Sequence, residues 1–217
     1  MDADADEAVV LTDLDTDEAV ERLAGGGLLA YPTETVWGLG ADARSEAALS
    51  ALRAFKGRSD DAPVSILVSG AGALSSLGFA PTPAAQRAMR AFWPGPLTLV
   101  LPCRGRFASG VVRADGAVGV RCSPHPAAAA LARACERAGA GPPTATSCNR
   151  SGDPAADSRD AARAVCGDRV PLLSGAEAGG GAPSTVVDFS GARPTVLRWG
   201  GVGEAELSAR VGALEAA

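Results

Sequence analysis

Lys56 is the one lysine among 20 basic residues; the other 19 are arginine. A chain that uses arginine wherever a cation is needed, yet keeps one lysine, marks a place where a compact ammonium serves and a planar guanidinium does not. Lys56 stands in "KGRS", two residues before Arg58. Residues two apart on a helix face different ways, but Gly57 would end the helix there and let both cations turn to one cleft. Cations at a helix C-terminus also complement its dipole, and this stretch alone leaves that reading open. In "YPTET", residues 31–35, two hydroxyls and a carboxylate sit at the mouth of an apolar strand whose exit Pro32 fixes. A plain hairpin would not need both Thr33 and Thr35. "TSCNRSG" places Ser147 and Asn149 on one side of an extended segment and Cys148 on the other, although its composition also suits an ordinary turn. In "GGGAPSTVVD", glycines allow close backbone approach and Ser184 and Thr185 supply hydroxyls. Arg121 and Arg198 end apolar runs, where α/β sheets bind ligands; each could equally be a surface arginine.

Much other chemistry is excluded. The single histidine, His125, lies between two prolines, with no G-x-S-x-G elbow for a serine triad. One histidine and scattered cysteines do not make a transition-metal site. There is no phosphate-binding loop of the G-x-x-x-x-G-K-[ST] kind, and the glycines of "GGGLLAYPT" precede a strand where a dinucleotide fingerprint needs them after one. An enzyme built from this inventory lacks a protein nucleophile and works by positioning and electrostatics, as nucleotidyl transfer can.

The 217 residues, 47% hydrophobic, suffice for one α/β domain. No apolar run is long enough to span a bilayer and no secretory signal opens the chain, so a soluble protein without a membrane span is expected. Five widely spaced cysteines without a C-x-x-C pair argue for a reducing cytoplasm. The net charge of −5 is unevenly spread. Nine of the 25 acids fall in residues 1–21, which hold no base, so residues 22–217 carry 16 acids against 20 bases. A mildly basic body suits an anionic ligand such as a nucleotide but is too weak, alone, to mark a nucleic-acid binder.

These side chains need elements to position them. Residues 1–15 read as an acidic, flexible start and 16–217 as the catalytic domain. Helices are expected at 16–24 with Thr16 as N-cap, at 45–58 with Ser45 as cap, at 82–93 with Thr82 as cap and Pro83 first, at 124–139, at 158–167 and at 204–214. Strands are expected at 28–33, 63–69, 96–102, 117–122, 143–147, 170–174, 184–189 and 195–199. Gly38 to Gly40 reads as a turn, and 174–184 as a mobile or ligand loop. Strands alternating with helices, then pairing at the end, point to a single α/β domain: a twisted, mixed parallel and antiparallel sheet with flanking helices.

Taken in order, "YPTETVWGLG", "KGRSDDAPVSILVS", "FWPGPLTLVL", "VGVRCSPHP", "TSCNRSG", "PSTVVDFSG" and "LRWGG" resemble the YrdC-type threonylcarbamoyl-adenylate synthase family from about Gly27 to Gly201. The resemblance implies the YrdC-like fold, in a short form without the C-terminal extra domain of longer members. It implies synthesis of threonylcarbamoyl-AMP and pyrophosphate from L-threonine, bicarbonate and ATP, with Mg²⁺ accompanying the ATP. The product would pass to a threonylcarbamoyl transferase that modifies tRNA, and weak tRNA contact is compatible with the basic body. By the same resemblance Thr33, Arg121 and Ser184 hold threonine. Lys56 and Arg58, as the catalytic cations, hold the nucleotide with Ser147, Asn149 and Arg198; no protein residue is assigned to a metal. Cys148 stands where alanine is usual and Trp199 where proline is frequent. Ala62 and Leu67 replace an asparagine and a histidine of some members, so no substrate contact carries over to those two positions. The alternatives are a double-stranded-RNA or tRNA-binding or ribosome-maturation module, and a domain related to carbamoyltransferases.

Overall fold

The computed structural model describes residues 13–57, 63–175 and 177–216; Arg58 and Ala62 lie outside them. Six α-helices and nine strands alternate along these residues. Helix α1 (Thr16–Ala24) starts one residue earlier than its cap was expected: Asp15, not Thr16, is the N-cap. Its carboxylate accepts from the backbone N–H groups of Asp17 and Glu18, while Glu18 reaches back to the Asp15 N–H. That reciprocal capping box leaves Thr16 as the first helical residue. Of the stretch 1–15, residues 1–12 lie outside the described residues, and residues 13–15 are tied to the fold: Asp13 accepts from Arg159 and Arg163, and Leu14 bridges to Leu173. Ser45 caps α2 (Glu46–Lys56), and Thr82 caps α3 (Pro83–Phe92) with Pro83 at its first position, as expected. Helices α4 (Pro126–Arg137), α5 (Arg159–Cys166) and α6 (Glu204–Val211) complete the set.

The strands form two sheets. β3 (Ile66–Leu67), β5 (Ala117–Arg121), β4 (Leu97–Pro102), β7 (Thr185–Asp188), β8 (Thr195–Arg198) and β9 (Glu215–Ala216) lie side by side in that order. Pairing is mixed: β4 runs antiparallel to β5 and parallel to β7. A second, antiparallel sheet joins β1 (Leu29–Tyr31), β2 (Gly38–Gly40) and β6 (Thr146–Ser147). The stretch read as a Gly-Leu-Gly turn is thus a central strand. The reason lies in its partner: the Tyr31 ring covers Gly38 and Gly40, and a Cβ at Gly38 would sit 2.8 Å from Tyr31 Cζ. Glycine here makes room for an aromatic ring across a strand pair, one of the uses of glycine inside strands. Residues 170–174, expected as a strand, contribute only single bridges, Leu172 to Ala30 and Leu173 to Leu14.

The main core packs Trp37, Leu39, Leu49, Leu52, Ile66, Leu97, Leu99, Val120 and Leu207 between the sheets and helices. A smaller cluster under α1 and α4 packs Leu23, Leu29, Tyr31, Leu67 and Leu131. The two clusters meet at β1 and β3, whose alternate residues point into one or the other, and the functional side chains emerge beside that seam.

Candidate active site

Strand register builds the site. Across five strands of the large sheet, Leu67 pairs with Arg121, Arg121 with Thr98, Thr98 with Val186, and Val186 with Arg198. Directly paired residues share a sheet face, and all five line one cavity of about 480 Å³. The small sheet adds a second row, in which Tyr31 pairs with Gly38 and Gly38 with Ser147; these three line the same cavity. At ordinary strand spacing Arg121 and Arg198, three strands apart, stand about 14 Å from each other. That separation gives the cavity two ends.

At one end lies Arg121, 9% exposed. Its Nη2 donates to Thr35 Oγ1 at 2.5 Å, Glu34 Oε1 at 2.8 Å and Thr33 Oγ1 at 3.4 Å. The two hydroxyls and the carboxylate of "TET" thus converge on one corner of one guanidinium. Its Nε is buried and has no partner among the described residues, an open donor where most buried groups are satisfied. Beside it Thr98 Oγ1 and Ser184 Oγ share a hydrogen bond of 2.8 Å. Thr98 is a lone hydroxyl in the apolar run "LTLVL"; that irregularity was the signal for a residue the sequence reading passed over. The loop before Ser184 docks on the same segment. Gly179 N donates to Thr33 O at 2.9 Å, and a Cβ at 179 would lie 2.4 Å from Glu34 O.

On the small-sheet wall of the cavity, Gly57 closes α2 in the left-handed conformation (φ 63°), and Lys56 Nζ turns onto the end of β6. It donates to Ser147 O at 2.6 Å, Asn149 Oδ1 at 2.7 Å and Asn149 O at 3.1 Å. Three acceptors around one nitrogen suit a tetrahedral ammonium; a flat guanidinium spreads its donors over a fork. Asn149 is fixed further by Ser147 Oγ, 2.7 Å from its Oδ1, and by its own Nδ2 donating to Asp153 O at 2.6 Å. Cys148 points the opposite way, as alternation predicts, and its Sγ lies 3.6 Å from Cys166 Sγ in the core. That contact and burial push the Cys148 thiol pKa well up. Arg198 donates through Nε and Nη2 to Ser184 O at 3.3 and 2.9 Å. Burial, and then the charge of Arg121, draw its pKa down. A Cβ at Gly200 would lie 2.0 Å from Pro183 O, so the glycines of "LRWGG" let this turn lie on the segment that leads through Ser184 into β7.

Of the residues expected at the site, Thr33, Lys56, Arg121, Ser147, Asn149, Ser184 and Arg198 all line the cavity, while Arg58 lies outside the described residues. The structure adds Tyr31, Thr98 and Arg113. Tyr31 donates to Thr144 O at 2.8 Å, and its burial raises its pKa, so it stays a neutral donor. Arg113 is held by Asp188 at 2.5 Å and Asp115 at 2.6 Å. Among the described residues no group of three or more His, Cys, Asp or Glu side chains gathers to hold a metal ion, and no helix is long and apolar enough to cross a membrane. The arrangement can orient small polar ligands and neutralise anionic ones.

The chain is similar to known proteins in sequence and in fold. The family profile described as "Sua5_yciO_yrdC: Telomere recombination" matches residues 21–200. The chain is 43% identical over 173 residues to the threonylcarbamoyl-AMP synthase of Chromohalobacter salexigens, covering 79% of this chain and 91% of that one. It is 39% identical over 175 residues to the enzyme of the same name from Xanthomonas campestris pv. campestris, with 80% and 91% covered. The structure of P. abyssi Sua5 complexed with L-threonine superposes with a TM-score of 0.85 at 32% identity, over 93% of this chain and 58% of the longer one. E. coli YciO shares the fold, with a TM-score of 0.73 at 22% identity over 91% and 95% of the two chains. The chain belongs to the Sua5/YciO/YrdC family.

Proposed function

We propose that the protein is an L-threonylcarbamoyladenylate synthase, forming threonylcarbamoyl-AMP and pyrophosphate from L-threonine, bicarbonate and ATP. The observation that carries this reading is one cavity lined by two differently equipped groups: a buried arginine amid hydroxyls, and a lysine held on Ser147 and Asn149. Arg121, with Thr33 and Ser184, would take the carboxylate and hydroxyl of threonine. Lys56, Ser147, Asn149 and Arg198 would take the nucleotide, joined by Arg58. Because the ammonium of Lys56 already holds Ser147 and Asn149, its part is to fix those ligands and lend its charge to the phosphates. The threonine amine adds to the bicarbonate carbon, water leaves, and a carbamate oxygen displaces pyrophosphate from the α-phosphorus. The protein aligns the reactants, excludes water and neutralises the triphosphate. Mg²⁺ would travel on the phosphate oxygens of ATP, since among the described residues no Asp or Glu side chain lines the cavity.

The product would be consumed by a transferase that moves the threonylcarbamoyl group to tRNA. Five free thiols, four of them buried, support a reducing, cytoplasmic setting. The test is pyrophosphate release with threonine, bicarbonate or ATP omitted in turn, bicarbonate in carbon-dioxide-free buffer. Release is expected only with all three, and valine should replace threonine poorly. A site that hydrogen-bonds the substrate hydroxyl keeps unpaired polar groups when a methyl takes its place. Equal rates with valine would sink the threonine assignment.

A further inference from the structure

Arg121 brings a counter-ion of its own to the site. Glu34 Oε1 lies 2.8 Å from Arg121 Nη2, and its Oε2 accepts from the hydroxyl of the buried Ser123. The backbone of Glu34 is packed under Gly179 and Gly181. Thr33, Thr35 and Arg121 line the cavity and Glu34 does not; its carboxylate shares the Arg121 Nη2 with the two hydroxyls and neutralises the guanidinium there. Arg198 differs: among the described residues its hydrogen bonds go to the neutral oxygens of Ser184. The Arg121 guanidinium is therefore half of an ion pair, whereas Arg198 meets only neutral oxygens among the described residues.

We propose that Glu34 is a positioning residue that sets charge selectivity at the Arg121 end: it admits a zwitterion and disfavours an anion lacking an ammonium group. The inference rests on the reading that this end takes an amino acid. A simple carboxylate approaching Arg121 meets the attraction of the guanidinium and, a few ångströms further, the repulsion of Glu34. At the effective dielectric of a protein site, unit charges at that range alter affinity by at least about tenfold. The ammonium of an amino acid cancels that repulsion, so a zwitterion loses little. The division matters because a triphosphate and bicarbonate would share this cavity. An unneutralised Arg121, buried and with an open Nε donor, would draw either anion into the amino-acid end. Specificity of this kind comes from a repulsive element as much as from an attractive one.

The test is calorimetric titration of the wild type and Glu34→Gln with L-threonine and with 3-hydroxybutyrate, which is threonine without its amino group. The wild type should bind threonine at least about tenfold more tightly than 3-hydroxybutyrate. In Glu34→Gln, 3-hydroxybutyrate should bind about tenfold more tightly than in the wild type, with threonine no tighter, so that the preference collapses. A preference unchanged in Glu34→Gln overturns the proposal, as does equal weakening of both ligands with a lowered Tm, the mark of a merely structural role. If Glu34→Gln does not fold, the wild type decides: equal affinity for the two ligands, or no threonine binding, overturns it. A collapsed preference in a protein that releases no pyrophosphate would leave this inference standing and remove the synthase reading. Threonine-dependent release with an unchanged preference would do the reverse.

Discussion

At the scale of single residues, Lys56 shows how a sequence anomaly becomes geometry. A cation in the last turn of a helix adds about 0.3–1 kcal/mol through the dipole. From the sequence alone, replacing Lys56 should therefore spare folding. The structure alters that expectation: Lys56 is 4% exposed and holds two backbone carbonyls and the Asn149 side chain. Hydrogen bonds to a charged group contribute more than neutral ones, and carbonyls left without a donor carry a desolvation cost. Lys56→Ala should lower stability by about 2–3 kcal/mol and turnover by at least about a hundredfold, or about 2.7 kcal/mol of barrier. Lys56→Arg should keep the charge but recover only part of both, because a planar fork cannot reach three acceptors set round one point. The measurements are urea unfolding and steady-state pyrophosphate release for each variant. Full activity and stability in Lys56→Arg would show that the lone lysine survived by chance. Cys148→Ala is the contrasting case. Its thiol faces Cys166 in the core and away from Ser147 and Asn149, so the variant should keep wild-type turnover, with at most about 1 kcal/mol lost to the small cavity. Turnover as low as in Asn149→Ala would give the thiol a role in the site.

At the scale of elements, most of the fold was legible, and the misses share a cause. Ser45, Thr82 and Pro83 announced their helices because capping is local chemistry. β4 and β5 were plain from their apolar runs. β2 was not, since "GLG" carries a turn composition and its strand character comes from the ring of Tyr31, the residue just before Pro32 on β1. The pairing of Tyr31 with Gly38 is tertiary information, as is the grip of Thr33, Glu34 and Thr35 on Arg121, some 86 to 88 residues away in sequence. Seven residues that line the cavity were identifiable as polar groups at the ends of apolar strands and helices. Tyr31 and Thr98, inside such runs, were not. The contact between β1 and β2 gives its own prediction. Gly38→Ala would drive a methyl into the Tyr31 ring and should cost about 1–3 kcal/mol, the usual range for overpacking. It should also weaken binding at the Arg121 end, because the displaced ring ends β1 just before the Thr33–Thr35 segment that bonds Arg121. Urea unfolding and threonine titration would check both; a variant as stable as the wild type would mean that the ring moves aside at no cost.

At the scale of the whole molecule, ionisable groups bound the pH range in which this fold holds together. On the acid side, burial opposes the charge of Asp188, but hydrogen bonds from Ser190 and the guanidinium of Arg113 outweigh it and hold the carboxyl below its ordinary 3.8. Glu46, bonded by the hydroxyl and N–H of Ser109, likewise lies below 4.5. A depressed carboxylate adds stability that is complete above its unfolded value and is lost as pH falls through its folded one. On the alkaline side, burial raises the thiols of Cys103, Cys122 and Cys135, the last to about 12. A raised acid stabilises fully below its unfolded value, 9.0 for a thiol, and that stability fades as pH climbs through the folded one. The melting temperature should therefore be level between about pH 5 and pH 9 and fall on both sides. Asp188 ties β7, which begins beside Ser184, to the Arg113 loop before β5, so its loss should be felt in the sheet that aligns Arg121 with Arg198. Asp188→Asn should lower the plateau and flatten the acid fall, leaving the alkaline fall in place. Melts from pH 2 to 11 on both proteins decide the matter: an acid limb as steep in Asp188→Asn as in the wild type would show that other carboxylates govern acid unfolding and that the Arg113 pair contributes no pH-dependent stability.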